Sequence, residues 1–163
     1  MLGAAGAAAL APGLAANGSL TELSICGNDV GDEGVRAICE AIQSNKETKL
    51  ASLNFVNNGI GPVGANALAA MVAVTGSLTS LNLAQNQLCG LNEHGYGTYT
   101  ADGITAIADA LRVNGGLTSI DLSGNQLCGV WTEYGEQVGT YTAEGITAIA
   151  EALRVNGSLT EVR

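Results

Sequence analysis

Apolar and polar positions alternate in one short phrase that recurs along the chain. It reads L-x-x-L-x-L-x-x-N at Leu20–Asn28, Leu50–Asn58, Leu78–Asn86 and Leu117–Asn125, and it begins again at Leu159–Val162. The central L-x-L has the period of two expected of a strand with one buried face. A second pattern follows each phrase. Ile104, Ile107 and Leu111 are spaced i, i+3, i+7, as one face of a helix requires, and Ile146, Ile149 and Leu153 repeat the spacing. Val35, Ile38 and Ile42 form a matching set, and Ala65, Leu68 and Val72 a looser one. Each unit therefore reads as strand, Asn-centred turn and helix. One unit cannot bury its apolar face alone, so neighbours must stack.

The same helix pattern explains the Ala-rich N-terminus, where Ala7, Leu10 and Leu14 occupy the face positions. The stretch has no basic residue, so it reads as a repeat helix rather than a secretory signal. Pro12 falls inside it and is expected to kink or fray the helix. Thr100 and Thr142 are placed to cap the helices that follow them, with Asp102 and Glu144 against the positive helix ends. Asn114-Gly115 and Asn156-Gly157 are expected to supply left-handed caps at the helix C-termini.

The phrase, four times complete and once partial, resembles the leucine-rich repeat. Spacings near 28 residues with a full helix per unit resemble the ribonuclease-inhibitor-like subfamily and the repeat arrays of NOD-like receptors. The resemblance spans essentially the whole chain. It implies an α/β leucine-rich-repeat solenoid, a horseshoe arc with a parallel sheet on the concave side and helices on the convex side. It also implies that Asn28, Asn58, Asn86 and Asn125 turn inward and bond the backbone of the strand-to-helix turn. Residues 1–163 read as a single array of about four full units with partial units at both ends. With no polar capping unit at either end, the array reads as a segment of a longer protein.

The third and fourth units are long because residues are inserted between the Asn and the helix. The inserted segments read CGLNEHGYGTYTADG, from Cys89, and CGVWTEYGEQVGTYTAEG, from Cys128. They share an opening Cys-Gly and a closing Gly-Thr-Tyr-Thr-Ala. All four Tyr, the only Trp and the only His of the chain lie within them. Long loops in a compact array are commonly functional, and Tyr and Trp dominate interface energetics. The candidate partner-binding residues are accordingly His94, Tyr96, Tyr99, Trp131, Tyr134 and Tyr141. Tyr99 and Tyr141, at matched positions, are expected to stack on each other and seal the loops to the body. Tyr96, Trp131 and Tyr134 differ between the loops and are equally open to packing or recognition.

Composition narrows the function further. The net charge of −9 lacks the basic footprint of a nucleic-acid binder and disfavours anionic membranes. No run is long and apolar enough to span a bilayer. No phosphate-binding G-x-x-x-x-G-K-[ST] run occurs, and one His offers no recognisable triad. Cys89 and Cys128 occupy equivalent places, where a disulfide or a metal site with Glu93 and His94 is conceivable. Two reduced, buried residues filling a turn are expected instead. Asp29, Asp32 and Glu33 lack calcium-loop spacing and read as helix-start charges, and Asp109–Arg112 and Glu151–Arg154 as solvent-face pairs. The outward strand positions (Glu22, Ser24, Cys26, Ser52, Asn54, Val56, Ser80, Asn82, Ala84, Ser119, Asp121, Ser123, Glu161) are small, polar and mildly acidic, without an aromatic or Arg anchor. The expected function is a cytoplasmic, non-catalytic interaction module. It needs no cofactor or metal and holds a protein partner through the concave rim and the two loops. The alternative is a regulator of a small GTPase, because the GTPase-activating protein for Ran carries similar repeats.

Overall fold

The computed structural model describes residues 1–163. The elements follow the order α1 (Gly3–Ala16), β1 (Glu22–Ser24), α2 (Gly31–Ser44), β2 (Ser52–Asn54), α3 (Pro62–Val74), β3 (Ser80–Asn82), α4 (Asp102–Val113), β4 (Ser119–Asp121), β5 (Val130–Glu133), β6 (Glu136–Gly139), α5 (Glu144–Leu153) and β7 (Glu161–Val162). Five strands form one parallel sheet in the order β1-β2-β3-β4-β7. Its register holds equivalent residues of the phrase side by side: Ser52 beside Ser80, Leu53 beside Leu81, Asn54 beside Asn82. Successive helices pack side by side behind the sheet. The protein is an α/β leucine-rich-repeat solenoid.

The phrase leucines form the core. Leu50, Leu53 and Phe55, then Leu78, Leu81 and Leu83, then Leu117, Ile120 and Leu122 are all at most 2 % exposed. Full burial of such a side chain contributes about 1.5–3 kcal/mol. The outer units are less well covered: Leu20, Leu23 and Leu159 are half-buried and Val162 is exposed. A stacked unit needs a neighbour on each side to close its core. For the same reason only part of the α5 face is buried. Ile149 and Ala152 pack inward, whereas Ile146 and Leu153, expected on the buried face, are exposed because no unit within these residues packs on their side.

Four other expectations are revised. The α1 helix runs unbroken through Pro12. Pro12 and Ala8, whose carbonyl it leaves unbonded, both lie on the exposed side, where water can satisfy that oxygen. Asn114 is not left-handed: its backbone is extended (φ −80°, ψ 124°). Its side chain instead donates to Val72 O (2.7 Å) of the previous helix and accepts from the N–H groups of Gly116 and Leu117. Asn45 and Asn156 do the same in their units, donating to Leu14 O and Leu111 O. These amides satisfy terminal helix carbonyls across the unit boundary and leave no need for a left-handed cap. Glu151 pairs with Arg112 of the neighbouring helix (2.9 Å) rather than with Arg154, while Arg112 also meets Asp109 at 3.4 Å. Asp32 serves the next unit: its carboxylate accepts from the N–H groups of Gly61 (2.7 Å) and Gly64 (2.9 Å) at the start of α3. An anion there satisfies orphan donors and meets the positive helix end.

Candidate functional site

The turn asparagines hold the site together. Asn86 Nδ2 donates to Phe55 O, Leu83 O and Ala84 O (2.9, 2.9 and 3.2 Å), and its Oδ1 accepts from the N–H groups of Asn58 (3.0 Å) and Ile60 (3.1 Å). Asn58 donates to Ile25 O and accepts from Asn28 N–H and Val30 N–H, one unit back. Asn125 donates to Leu83 O and accepts from Leu88 N–H. Asn58, Asn86 and Asn125 are almost fully buried, and Asn28, in the first unit, is half-buried. Each amide bonds its own turn and the one before it, so the ladder aligns the turns along one rim of the sheet.

Above the ladder lies an open polar cleft of about 460 Å³, lined among others by Asp29, Asn57, Gln85, Glu93 and Gln126. Asp29, Asn57, Gln85 and Gln126 all have positive φ (49–56°). Non-glycine residues adopt this conformation at a cost, and Asn and Asp tolerate it best.

Both insertions rise from this rim. The first is tied by Asn92, whose side chain accepts from the N–H groups of His94 (3.0 Å) and Tyr96 (2.9 Å), and by a bridge between Leu91 and Gly97. Tyr96 is 74 % exposed and His94 is exposed beside it, their rings 6.4 Å apart in an edge-on arrangement. Nε2 of His94 lies 3.4 Å from Glu93. The second insertion folds into a hairpin that the sequence pattern did not announce. β5 and β6 pair antiparallel, Trp131 opposite Val138 and Glu133 opposite Glu136. Its two-residue tip is Tyr134-Gly135, with φ of 50° and 84°. A tip with both residues left-handed matches strand twist, but it normally carries Asn-Gly or Asp-Gly. Tyr134 occupies the strained position and is fully exposed.

Trp131 joins the two insertions. Its indole lies against Gly95 of the first and Gly139 of its own hairpin, and a Cβ at either glycine would collide with the ring. Its Nε1 is buried with no hydrogen-bond partner. Tyr99 also crosses between units: its hydroxyl donates to Leu127 O (2.9 Å), and burial raises its pKa above the ordinary tyrosine value. The expected stack of Tyr99 on Tyr141 does not form. Tyr99 is pressed beneath the second insertion near Gly129 and Gly145, whereas no unit among these residues covers the equivalent Tyr141, which is 67 % exposed. Leu91, Tyr99 and Trp131, with Gly95, Gly97, Gly129 and Gly139, line an open cleft of about 480 Å³ between the insertions, bordered by Thr140, Thr142 and Glu144. Cys89 is buried below, its thiol pushed up to about 12 chiefly by burial, and Cys128 is half-buried nearby.

The candidate residues thus divide. Tyr96, Tyr134, Tyr141 and His94 face solvent, Trp131 and Tyr99 hold the loops together, and Leu91, Glu144 and the four glycines enter the site unannounced. Glycine at both contacts of the lone Trp was the one available sign.

A family model described as Leucine Rich repeat matches residues 16–39 and 46–69. The chain is similar to the NACHT, LRR and PYD domains-containing protein 3 of Homo sapiens, 37 % identical over 79 residues, and to that of Rattus norvegicus, 36 % identical over 75. The matches cover 48 % and 46 % of this chain but only 8 % and 7 % of those relatives. Among solved structures it resembles the Leiomodin-1 actin-binding site 2 domain, with a TM-score of 0.69 at 21 % identity over 96 % of this chain and 75 % of that one. It also resembles the tropomodulin C-terminal domain of Caenorhabditis elegans, with a TM-score of 0.69 at 16 % identity over 98 % and 80 %. Identities this low speak for the shared architecture alone. With its repeated phrase, stacked strand–helix units and buried turn asparagines, the chain carries leucine-rich repeats and folds as a solenoid of them.

Proposed function

We propose that this chain is a non-catalytic recognition module that grips a partner protein with the concave rim and the two aromatic insertions. One observation carries the reading: two adjacent loops, locked together by Trp131, present Tyr96 and Tyr134 to solvent on constrained turns. Exposed tyrosines on rigid supports bury large area on binding at low entropic cost. The sheet face offers no such anchor, its outward residues being Ser, Asn, Asp and Glu. The leiomodin neighbour is named for an actin-binding site, which supports protein recognition on this fold without identifying the partner here. No helix is long and apolar enough to cross a membrane, and a cytoplasmic setting, in keeping with four free cysteines, belongs to the same proposal.

The test places a photo-crosslinking side chain at Tyr96 or Tyr134, and at Val63 or Val74 on exposed helix positions. Expected is one protein species crosslinked from the loops and lost when the other loop tyrosine becomes Ser. Capture only from the helix positions, or capture indifferent to the loop substitutions, would refute the proposal.

A further inference from the structure

The insertions are acidic as well as aromatic. They contain Glu93, Asp102, Glu133, Glu136 and Glu144, and no Lys or Arg. The hairpin register sets Glu133 directly opposite Glu136. Like charges at facing positions destabilise a strand pair. Neither carboxylate has a cationic partner within the chain, although Glu33, Glu40, Asp109, Glu151 and Glu161 all pair with arginines elsewhere. Because side chains two apart share a strand face, Glu133 and Glu136 lie on the same face of the hairpin as Trp131 and Val138. Glu144, exposed at the start of α5, borders the cleft walled by Leu91, Tyr99 and Trp131.

Resting on the recognition role proposed above, we infer that the cleft between the insertions takes an arginine side chain from a basic, extended segment of the partner protein. The guanidinium meets an aromatic wall on one side and the Glu144 carboxylate at the rim. Flanking basic residues relieve the repulsion between Glu133 and Glu136. A planar guanidinium suits this pairing of aromatic surface and carboxylate better than an ammonium, which is more strongly hydrated and cannot bind a carboxylate side-on. Glycines at Gly95 and Gly139 let the backbone of both insertions pack against the Trp131 ring, which sets that ring in the cleft wall. The protein's charge of −9 draws a basic partner at long range.

Trp131 is the only tryptophan, so its emission and its single indole N–H resonance report on the cleft alone. The full chain is titrated with a short Gly-Arg repeat peptide, its lysine counterpart and its uncharged citrulline counterpart. Expected is a saturable Trp131 response to the arginine peptide, about ten-fold tighter than to lysine, absent for citrulline and weaker at high salt. Glu144→Gln should weaken the arginine peptide by about ten-fold, and Glu133→Gln with Glu136→Gln by less, with far-UV circular dichroism unchanged. Equal responses to arginine and lysine, a response to citrulline, or indifference to Glu144→Gln would overturn the inference. The titration needs no natural partner. A failed titration beside successful loop crosslinking removes only the arginine site, whereas a successful titration beside failed crosslinking removes only the protein-recognition reading.

Discussion

Asn86→Ala is the most informative single perturbation of the scaffold. The amide is 3 % exposed and makes five hydrogen bonds. Its loss leaves the buried N–H groups of Asn58 and Ile60 without the acceptor they share. Each orphaned buried group costs about 1–3 kcal/mol, so the two together cost about 2–6 kcal/mol, before any account of the carbonyls of Phe55 and Leu83. That is a large part of the ~5–15 kcal/mol that stabilises a domain. Asn28→Ala is the internal control. Its amide is half-buried, donates to Ile25 O and Cys26 O at 3.1 Å and accepts only from the exposed Leu2 N–H. Water can replace most of this, and the expected cost is about 1 kcal/mol. Urea denaturation followed by circular dichroism measures both, with the slope checked for broken cooperativity, to which repeat arrays are prone. If the two variants lose equal stability, or if Asn86→Ala costs less than about 1 kcal/mol, the ladder is not what aligns the units.

The other predictions concern the joints around the site. Asp32→Ala removes the acceptor for Gly61 and Gly64 N–H and should cost about 1 kcal/mol, measured by the same denaturation; no change would show that the α3 terminus is solvated instead. Tyr99→Phe removes the bond to Leu127 O and should cost about 1 kcal/mol. Because burial raises the Tyr99 pKa, the fold favours the neutral phenol. Its contribution is complete below the ordinary tyrosine pKa and is lost as pH rises through the folded value, so alkaline stability profiles of wild type and Tyr99→Phe should differ there. At mildly alkaline pH a thiol reagent should label exposed Cys26 fast and buried Cys39 and Cys89 only on unfolding, since burial raises both buried thiols; mass spectrometry of early time points showing Cys89 labelled as fast as Cys26 would contradict this.

The architecture was legible in the residues because its determinants are local and periodic. L-x-L spacing decides which side of a three-residue strand is buried, and i, i+3, i+7 spacing decides the helix face, as the burial of Leu81, Leu83, Ile104 and Leu111 shows. The two insertions were also visible, as interruptions of the period that concentrate every Tyr and the Trp. Relations between units were not visible, because they depend on which atoms stacking brings within reach. Asp32 precedes the α3 terminus by some thirty residues, and nothing in its own surroundings marks it as that helix's cap. Asn114 and Asn156 sit where a local cap is expected, yet their amides reach back one unit for carbonyls that stacking supplies. Tyr99 and Tyr141 are identical in sequence context and opposite in role, since a following unit covers the first and none among these residues covers the second. The tertiary structure alone decided that Trp131 would be spent joining the insertions through Gly95, and that Tyr96 and Tyr134 would be the rings left in solvent. Sequence periodicity sets each unit's inner face, but what covers an outer face is a property of the neighbouring unit.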